Sequence, residues 1–318
     1  MSILVGFGPD TRSGSGLRLA AALARSLGEP LVLCCVIHDA FGSPTLRDFS
    51  GVDDDWRREL TGMARETLAR AREQLPEDLE VETVQRVGRS VPQILDQEAR
   101  ARGARMLVVG SSDGVVGRIG LGSTSDRLVH SAHVPIALAP RGFDPESEGV
   151  SRLVLAVDPT DRDAALVPGV ARALDATEAA LTIVTFAVRG GSRSAFSAFR
   201  EGEYYAQWRQ DVVRTQGRIL DDVRDLSPST SGTAGSVVEG PRWSAAVSGF
   251  DWQQGDMLVI GSSTHASVTR VFLGSTAARI LRHSPVPVLV LPRGREITRE
   301  RKPKVGKDRK GRKHAKDS

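Results

Sequence analysis

The residues with the clearest chemical pattern lie late in the chain. Gly261-Ser262-Ser263-Thr264 opens a segment that runs through His265 and Arg270 to Gly274-Ser275-Thr276, where a helical stretch begins. A glycine at a strand end, small hydroxyl residues and Gly-Ser at a helix start suit an anion such as phosphate. The first N–H groups of a helix have no intrahelical acceptor and carry the positive end of its dipole. Ser275, near the cap, can serve either the helix or a phosphate. Gly110, Gly122 and Ser123 form a matching set earlier in the chain, and Arg118 and Arg270 hold corresponding positions between the glycines. Their guanidinium groups could offset phosphate charge or simply face water. On spacing alone, glycines that only permit a tight loop and a cap fit the pattern equally well.

The match between the two sets is part of a larger repeat. Residues 107–112 read LVVGSS and residues 258–263 read LVIGSS; LGST occurs at 121–124 and at 273–276. Each copy continues into Val-Pro, at Val134-Pro135 and Val286-Pro287, and closes on Pro-Arg-Gly, at 140–142 and 292–294. The openings also correspond, Ile3 to Gly8 against Leu153 to Asp158. Four separate matches in one order point to a duplication.

The elements that must carry these loops alternate. Apolar runs at 2–8, 31–37, 79–86, 105–110 and 134–139 read as strands, and 15–27, 53–75, 91–102 and 123–131 as helices, the second with Leu60, Met63, Leu68 and Ala71 on its apolar side. The second copy repeats the order, with strands near 152–158, 181–188, 235–239, 256–261 and 286–291. Continuous aliphatic strands separated by helices predict a parallel sheet covered on both faces. Right-handed crossovers make each copy a doubly wound five-stranded α/β domain. Such sheets bind ligands beyond the carboxyl ends of their strands, where the segment after each fourth strand would lie. The closing strands would sit at sheet edges, and two apolar edges in one chain predict an internal pseudo-dimer, with a homodimer of whole chains allowed but not required. Phe143–Val150 reads as a linker.

Composition removes whole classes of function. The chain is 40% hydrophobic and 26% charged, and its longest apolar run, Leu31 to Ile37, is far too short to span a membrane. The N-terminus shows no basic stretch followed by an apolar run, so a cytoplasmic protein is expected. Two adjacent cysteines, Cys34 and Cys35, support neither a disulfide framework nor a zinc site, and are expected as buried thiols on opposite faces of a strand. The net charge of +4 belongs to the C-terminus, where residues 293–318 carry twelve Lys/Arg against four Asp/Glu. The rest of the chain is mildly acidic and gives no bulk argument for nucleic-acid binding. No Walker loop, zincin motif or Ser/His/Asp set can be assembled. His130 and His133 fit a helix C-terminus better than a metal site.

The glycine segments, opening strands and closing strands together resemble the universal stress protein family, in tandem. That family carries Gly, two residues, Gly, nine residues, Gly and then Ser or Thr, ahead of a helix and an apolar strand with Pro-Val. The second copy fits with Thr264 at the middle glycine; the first has Asp113 there and only eight residues before Gly122. The resemblance implies adenine nucleotide alpha hydrolase-like domains over residues 1–142 and 151–294, joined by the linker 143–150 and followed by a basic, disordered tail, 295–318. In members that hold ATP, an Asp ending the first strand approaches the adenosine, a residue late in the second strand meets the adenine, and the glycine loop wraps the phosphates. Those roles fall on Asp158, on Phe186 where the family usually has Val, and on Gly261, Gly274 and Ser275, with Arg270 beside them. In the first copy they fall on Val36, Gly110, Gly122 and Ser123, but Gly8 replaces the aspartate, with Asp10 two residues on.

The second copy is therefore expected to bind ATP, with Mg²⁺ as an accompanying ion. Thr264 costs it about 1–2 kcal/mol if that position needs positive φ. Asp113 in the first copy would repel a phosphate by about 4 kcal/mol at ~4 Å and an effective dielectric of ~20. The expected function is a stress-response module that works by binding an adenine nucleotide and a protein partner of unknown identity, not by catalysis. The alternatives are a nucleotide-independent interaction module with vestigial sites and a weak ATP-hydrolysing enzyme. The tail adds an expected weak, salt-dependent contact with nucleic acid. Deleting residues 296–318 is expected to abolish retention on immobilised nucleic acid at low salt; unchanged retention would remove that role.

Overall fold

The computed structural model describes residues 1–8, 14–38, 52–111, 114–145, 149–158, 165–189, 195–262, 271 and 273–292, with backbone alone at 52–57 and 195–203. Asp10, Asp113, Thr264, His265, Arg270 and the basic tail lie outside the described residues.

The first repeat contains β1 (Ile3–Gly6), α1 (Ser15–Leu27), β2 (Leu31–His38), α2 (Val52–Glu73), β3 (Val81–Gly88), α3 (Val91–Ala101), β4 (Met106–Gly110), α4 (Ser123–Ser131) and β5 (Ile136–Ala139). The second contains β6 (Arg152–Ala156), α5 (Val167–Thr177), β7 (Ala180–Val188), α6 (Ala195–Leu226), β8 (Gly232–Gly240), α7 (Trp243–Ser248), β9 (Asp256–Gly261), α8 (Ser275–His283) and β10 (Val288–Leu291). The ten strands form one sheet in the order β3-β2-β1-β4-β5-β10-β9-β6-β7-β8. Pairing is parallel within each repeat and antiparallel at the centre, where Val288, Leu289 and Val290 face Leu138, Ala137 and Ile136. Two doubly wound five-stranded sheets thus join edge to edge, and the apolar closing strands pair inside one chain.

The strands are apolar throughout because both faces are covered. Leu31, Leu33, Cys35 and Ile37 pack on the side of α1, α2, α5 and α6. Val32, Cys34 and Val36 pack on the side of α3, α4, α7 and α8. The two cysteines therefore face opposite ways, and burial pushes the thiols of Cys34 and Cys35 up to about 12 and about 11, far from a reactive thiolate. On α2 the inward stripe is Ala64, Leu68 and Ala71, continued past its end by Leu75, whereas Met63, expected inside, is 47% exposed. A one-residue shift rotates the stripe by about 100°, and a helix this rich in charge leaves that shift undecided in sequence.

The repeats differ on one face. α3 runs for 11 residues, but its counterpart α7 for only 6. The space left by the missing turns is filled by three rings. Phe186 stacks against Trp252 with centroids 6.3 Å apart and meets Phe250 edge-on at 6.1 Å. Arg152 covers the outer face of Phe250 and pairs through its guanidinium with the buried Asp256 at 2.6 Å.

The two sheets meet their helices differently at one further point. In the first repeat Gly16 of α1 lies against β4, and a Cβ there would be 2.8 Å from the Gly110 backbone nitrogen. The corresponding residue of the second repeat is Leu166, whose side chain rests on Gly261 and would lie 2.4 Å from a Cβ at that position. Gly16→Ala is expected to destabilise the protein by about 1–3 kcal/mol, because backbone cannot move aside as a side-chain tip can. Thermal unfolding of the full chain measures it.

Candidate functional site

Each repeat has one topological switch point, between β1 and β4 and between β6 and β9. There the chain leaves the two strands toward opposite faces, and pairing stops. The last pairs are Gly6 with Val109 and Leu155 with Val259. Carried forward, the second register sets Val157 beside Gly261 and Asp158 beside Ser262. Val157 remains in the core, held from behind by the Thr185 hydroxyl, which donates to its carbonyl at 3.0 Å. Asp158, two residues past the end of β6, is exposed. The opening carboxylate and the end of β9 therefore meet at the carboxyl edge of the sheet.

Among the described residues, the helix that follows has no side-chain cap at its N-terminus. Gly274 caps α8 without a side-chain bond, and its φ of −69° is one that any residue adopts. Glycine is not demanded by the backbone here, and it offers no side chain to cap the end. The first intrahelical bond runs from Ala278 N–H to the Gly274 carbonyl, so the N–H groups of Ser275, Thr276 and Ala277 precede it. Ser275 is exposed. Gly122 and Ser123 repeat this arrangement at α4, again without a side-chain cap.

The two ends differ in charge. The first turn of α4 contains Asp126, whereas α8 has no acidic residue in its first turn and ends on Arg282 and His283. A carboxylate in the first turn already answers the helix dipole and weakens its hold on another anion. The contrast is written in the sequence, Gly-Ser-Thr-Ser-Asp at 122–126 against Gly-Ser-Thr-Ala-Ala at 274–278, but it becomes meaningful only once both are helix starts.

Other expected residues fall elsewhere. Phe186 is 6% exposed and its ring sits among Phe250 and Trp252 beneath α7. The residue expected to meet adenine thus packs its ring in the core beside the shortened helix. Val36 occupies the same place in the first repeat, also in the core. Gly110 ends β4, half-buried against Gly16. Arg118 does not turn to its own repeat's crevice. It donates to the Ser248 hydroxyl at the end of α7, 3.1 Å away. Burial first, and then the charge of Arg118, hold His283 below the usual histidine range. The segment carrying Arg118 folds back on its own repeat, with Gly117 N–H on the Arg141 carbonyl at 2.8 Å and Arg141 N–H on the Arg118 carbonyl at 2.9 Å. His133 pairs with Asp96 rather than with His130, and no group of three or more possible metal ligands occurs among the described residues.

A separate cavity of about 310 Å³ lies at the seam of the repeats, lined by Leu19, Phe143, Val150, Trp252, Met257 and Pro287 among others. It sits at the amino ends of β9 and β10, away from the second repeat's crevice. Phe186→Val, which places the resembled family's usual residue there, is expected to cost about 2 kcal/mol of stability through the cavity it opens, with little change in ligand affinity. Denaturant unfolding and a binding titration separate the two effects. A large loss of affinity at unchanged stability would return the ring to the site.

Comparison with known proteins agrees with this architecture. The universal stress protein family matches twice, over residues 1–140 and 149–292. Universal stress protein Rv2319c of Mycobacterium tuberculosis and universal stress protein Mb2346c of Mycobacterium bovis are each 30% identical over 301 residues, which cover 92% of this chain and 100% of each relative. Among solved structures, a universal stress protein from Archaeoglobus fulgidus superposes with a TM-score of 0.56 at 19% identity, covering 92% of this chain and 97% of that one. A Pseudomonas aeruginosa protein described as functionally unknown gives 0.53 at 19% identity, with 91% and 92% covered. No helix among the described residues is long and apolar enough to cross a membrane. With the family matched in both repeats and relatives aligned along their whole length, this chain belongs to the universal stress protein family, as two tandem domains in one molecule.

Proposed function

We propose that this protein is a nucleotide-responsive stress module that binds ATP in the crevice of its second repeat and acts through binding rather than catalysis. The observation that carries the reading is the start of α8. An uncapped helix end with three N–H groups and no acidic residue in its first turn follows β9, and the exposed Asp158 continues the register of β6 alongside the end of that strand. N–H groups there suit the phosphates, and Asp158 suits the hydroxyl groups of a ribose, which donate well to a carboxylate. Mg²⁺ would come with the triphosphate. The first repeat offers Gly8 where the second has Asp158, and Asp126 in the turn where phosphates would rest.

A second reading has one observation in its favour. Leu166 packs on Gly261 and narrows the second crevice from the side of α5. A nucleotide-independent interaction module would tolerate such filling; a triphosphate site must accommodate it. Mass spectrometry of ligand released from the purified full chain separates the readings, followed by titration calorimetry with Mg-ATP. ATP is expected at one equivalent per chain. Asp158→Ala is expected to weaken it about tenfold or more, the loss of hydrogen bonds to a charged group. Absence of binding by the intact chain, or equal affinity in the variant, would overturn the nucleotide reading. Steady ATP turnover that disappears in Asp158→Ala would replace it with an enzymatic one.

A further inference from the structure

The glycine segment of the second repeat does not end on its own repeat. Val271 N–H donates to the Ala132 carbonyl at 2.7 Å, and Leu273 N–H to the Val129 carbonyl at 3.1 Å. Both acceptors belong to the C-terminal end of α4 in the first repeat. The last carbonyls of a helix need donors from outside it. α4 has no left-handed glycine to supply one, because its C-cap, Ala132, is extended at φ −68° and ψ 152°. The incoming strand of loop takes that place, with Val271 and Leu273 both buried against the first repeat's core.

One peptide group in this contact is held at both ends. The carbonyl of the Ala132–His133 peptide accepts from Val271, and its N–H donates to Asp96 Oδ1 at 2.7 Å. The His133 ring is fixed as well, with Nδ1 2.7 Å from Asp96 Oδ2. Asp96 is on α3 and 7% exposed. A carboxylate accepting from a peptide N–H polarises that peptide and strengthens its carbonyl as an acceptor. The second repeat has no equivalent, since Pro285 stands where the first has His133, and proline has no N–H to offer.

We propose that Asp96 and His133 of the first repeat are positioning residues for Val271, Leu273 and the start of α8 in the second. They fix the peptide that anchors Val271, and Leu273 then delivers Gly274 and the open start of α8. The site in the second repeat is thus completed by the first. The functional consequence rests on the reading of that helix start as the phosphate cradle; the positioning itself does not.

Amide hydrogen exchange in the ligand-free full chain tests the positioning. Val271 and Leu273 are expected to be protected although they lie outside any helix or strand. In Asp96→Ala they are expected to exchange roughly tenfold faster or more, while the amides of Leu258, Val259 and Ile260 in β9 keep their rates. Asp96→Asn, which still accepts from the His133 N–H, is expected to retain most of the protection. Should Asp96→Ala fail to fold, His133→Pro removes the same donor and is read at the same amides. Unprotected Val271 and Leu273 in the wild type, unchanged rates in the variants, or equal acceleration throughout β9 would overturn the proposal. Calorimetry with Mg-ATP then reads the consequence, an expected loss of about tenfold in affinity in Asp96→Ala. If the wild type holds no ATP while the exchange pattern stands, the nucleotide reading fails and the positioning survives.

Discussion

The antiparallel pairing of β5 with β10 is the constraint on which the rest depends. It is short, three facing residue pairs, yet it turns two sheets into one and lets the cores on both faces run across the seam. Left apart, each repeat would present an apolar edge, Ile136–Ala139 or Val288–Leu291, to any passing strand. The covalent link makes their meeting intramolecular, so a ladder of this length need not overcome the entropy of associating two molecules. The pairing also dictates where function can sit. Because it is antiparallel, the carboxyl ends of the strands point opposite ways in the two repeats. Each crevice therefore opens at the end of the sheet where the other repeat's α4 or α8 terminates. That is why Val271 and Leu273 find the end of α4, and why Arg118 finds the end of α7 beside His283.

A tandem chain is free to become asymmetric in a way that a homodimer is not. In a symmetric dimer every substitution appears twice, at both copies of a site. Here each repeat has changed alone. Gly16 permits α1 to approach the β4 backbone, while Leu166 fills the corresponding space above Gly261. α7 has lost turns that α3 keeps, and Phe186, Phe250 and Trp252 occupy the volume. Asp126 sits in the first turn of α4 and nothing acidic sits in that of α8. His133 is gripped by Asp96, and Pro285 is gripped by nothing of the kind. Several of them lie at the crevice ends and at the contacts between one repeat's loop and the other repeat's helix, where a division of labour would act.

Much of this was legible before any coordinates. The repeat, the alternation of aliphatic strands with helices and the apolar closing strands together required two doubly wound sheets joined edge to edge. Asp158 was named only through the family resemblance; its place alongside the end of β9 then follows from the strand order. Phe186 shows where such reading ends. Its place on β7 was clear, and its alternation fixed its face, but the ring's destination depended on turns that α7 lacks. An absent turn leaves no residue to notice. The grip on α4 was hidden for a different reason: it is made by the backbone of Val271 and Leu273, and any non-proline residue carries the same N–H. Its only trace in the side chains is the Asp96–His133 pair, separated by 37 residues in sequence.

Charge poses a last question, how an acidic body could favour a polyanion. Residues 1–292 carry more Asp and Glu than Lys and Arg, so at long range the folded part repels one. At physiological salt that repulsion is screened beyond about 8 Å. Within that distance the donors at a helix start act directly, and the low dielectric of a crevice strengthens them. The balance at each site is therefore set by what lies within one helical turn of the cap, not by the isoelectric point. By this measure the two repeats, alike in fold and similar in sequence, differ where it counts: the first turn of α4 carries its own carboxylate, Asp126, and that of α8 carries none.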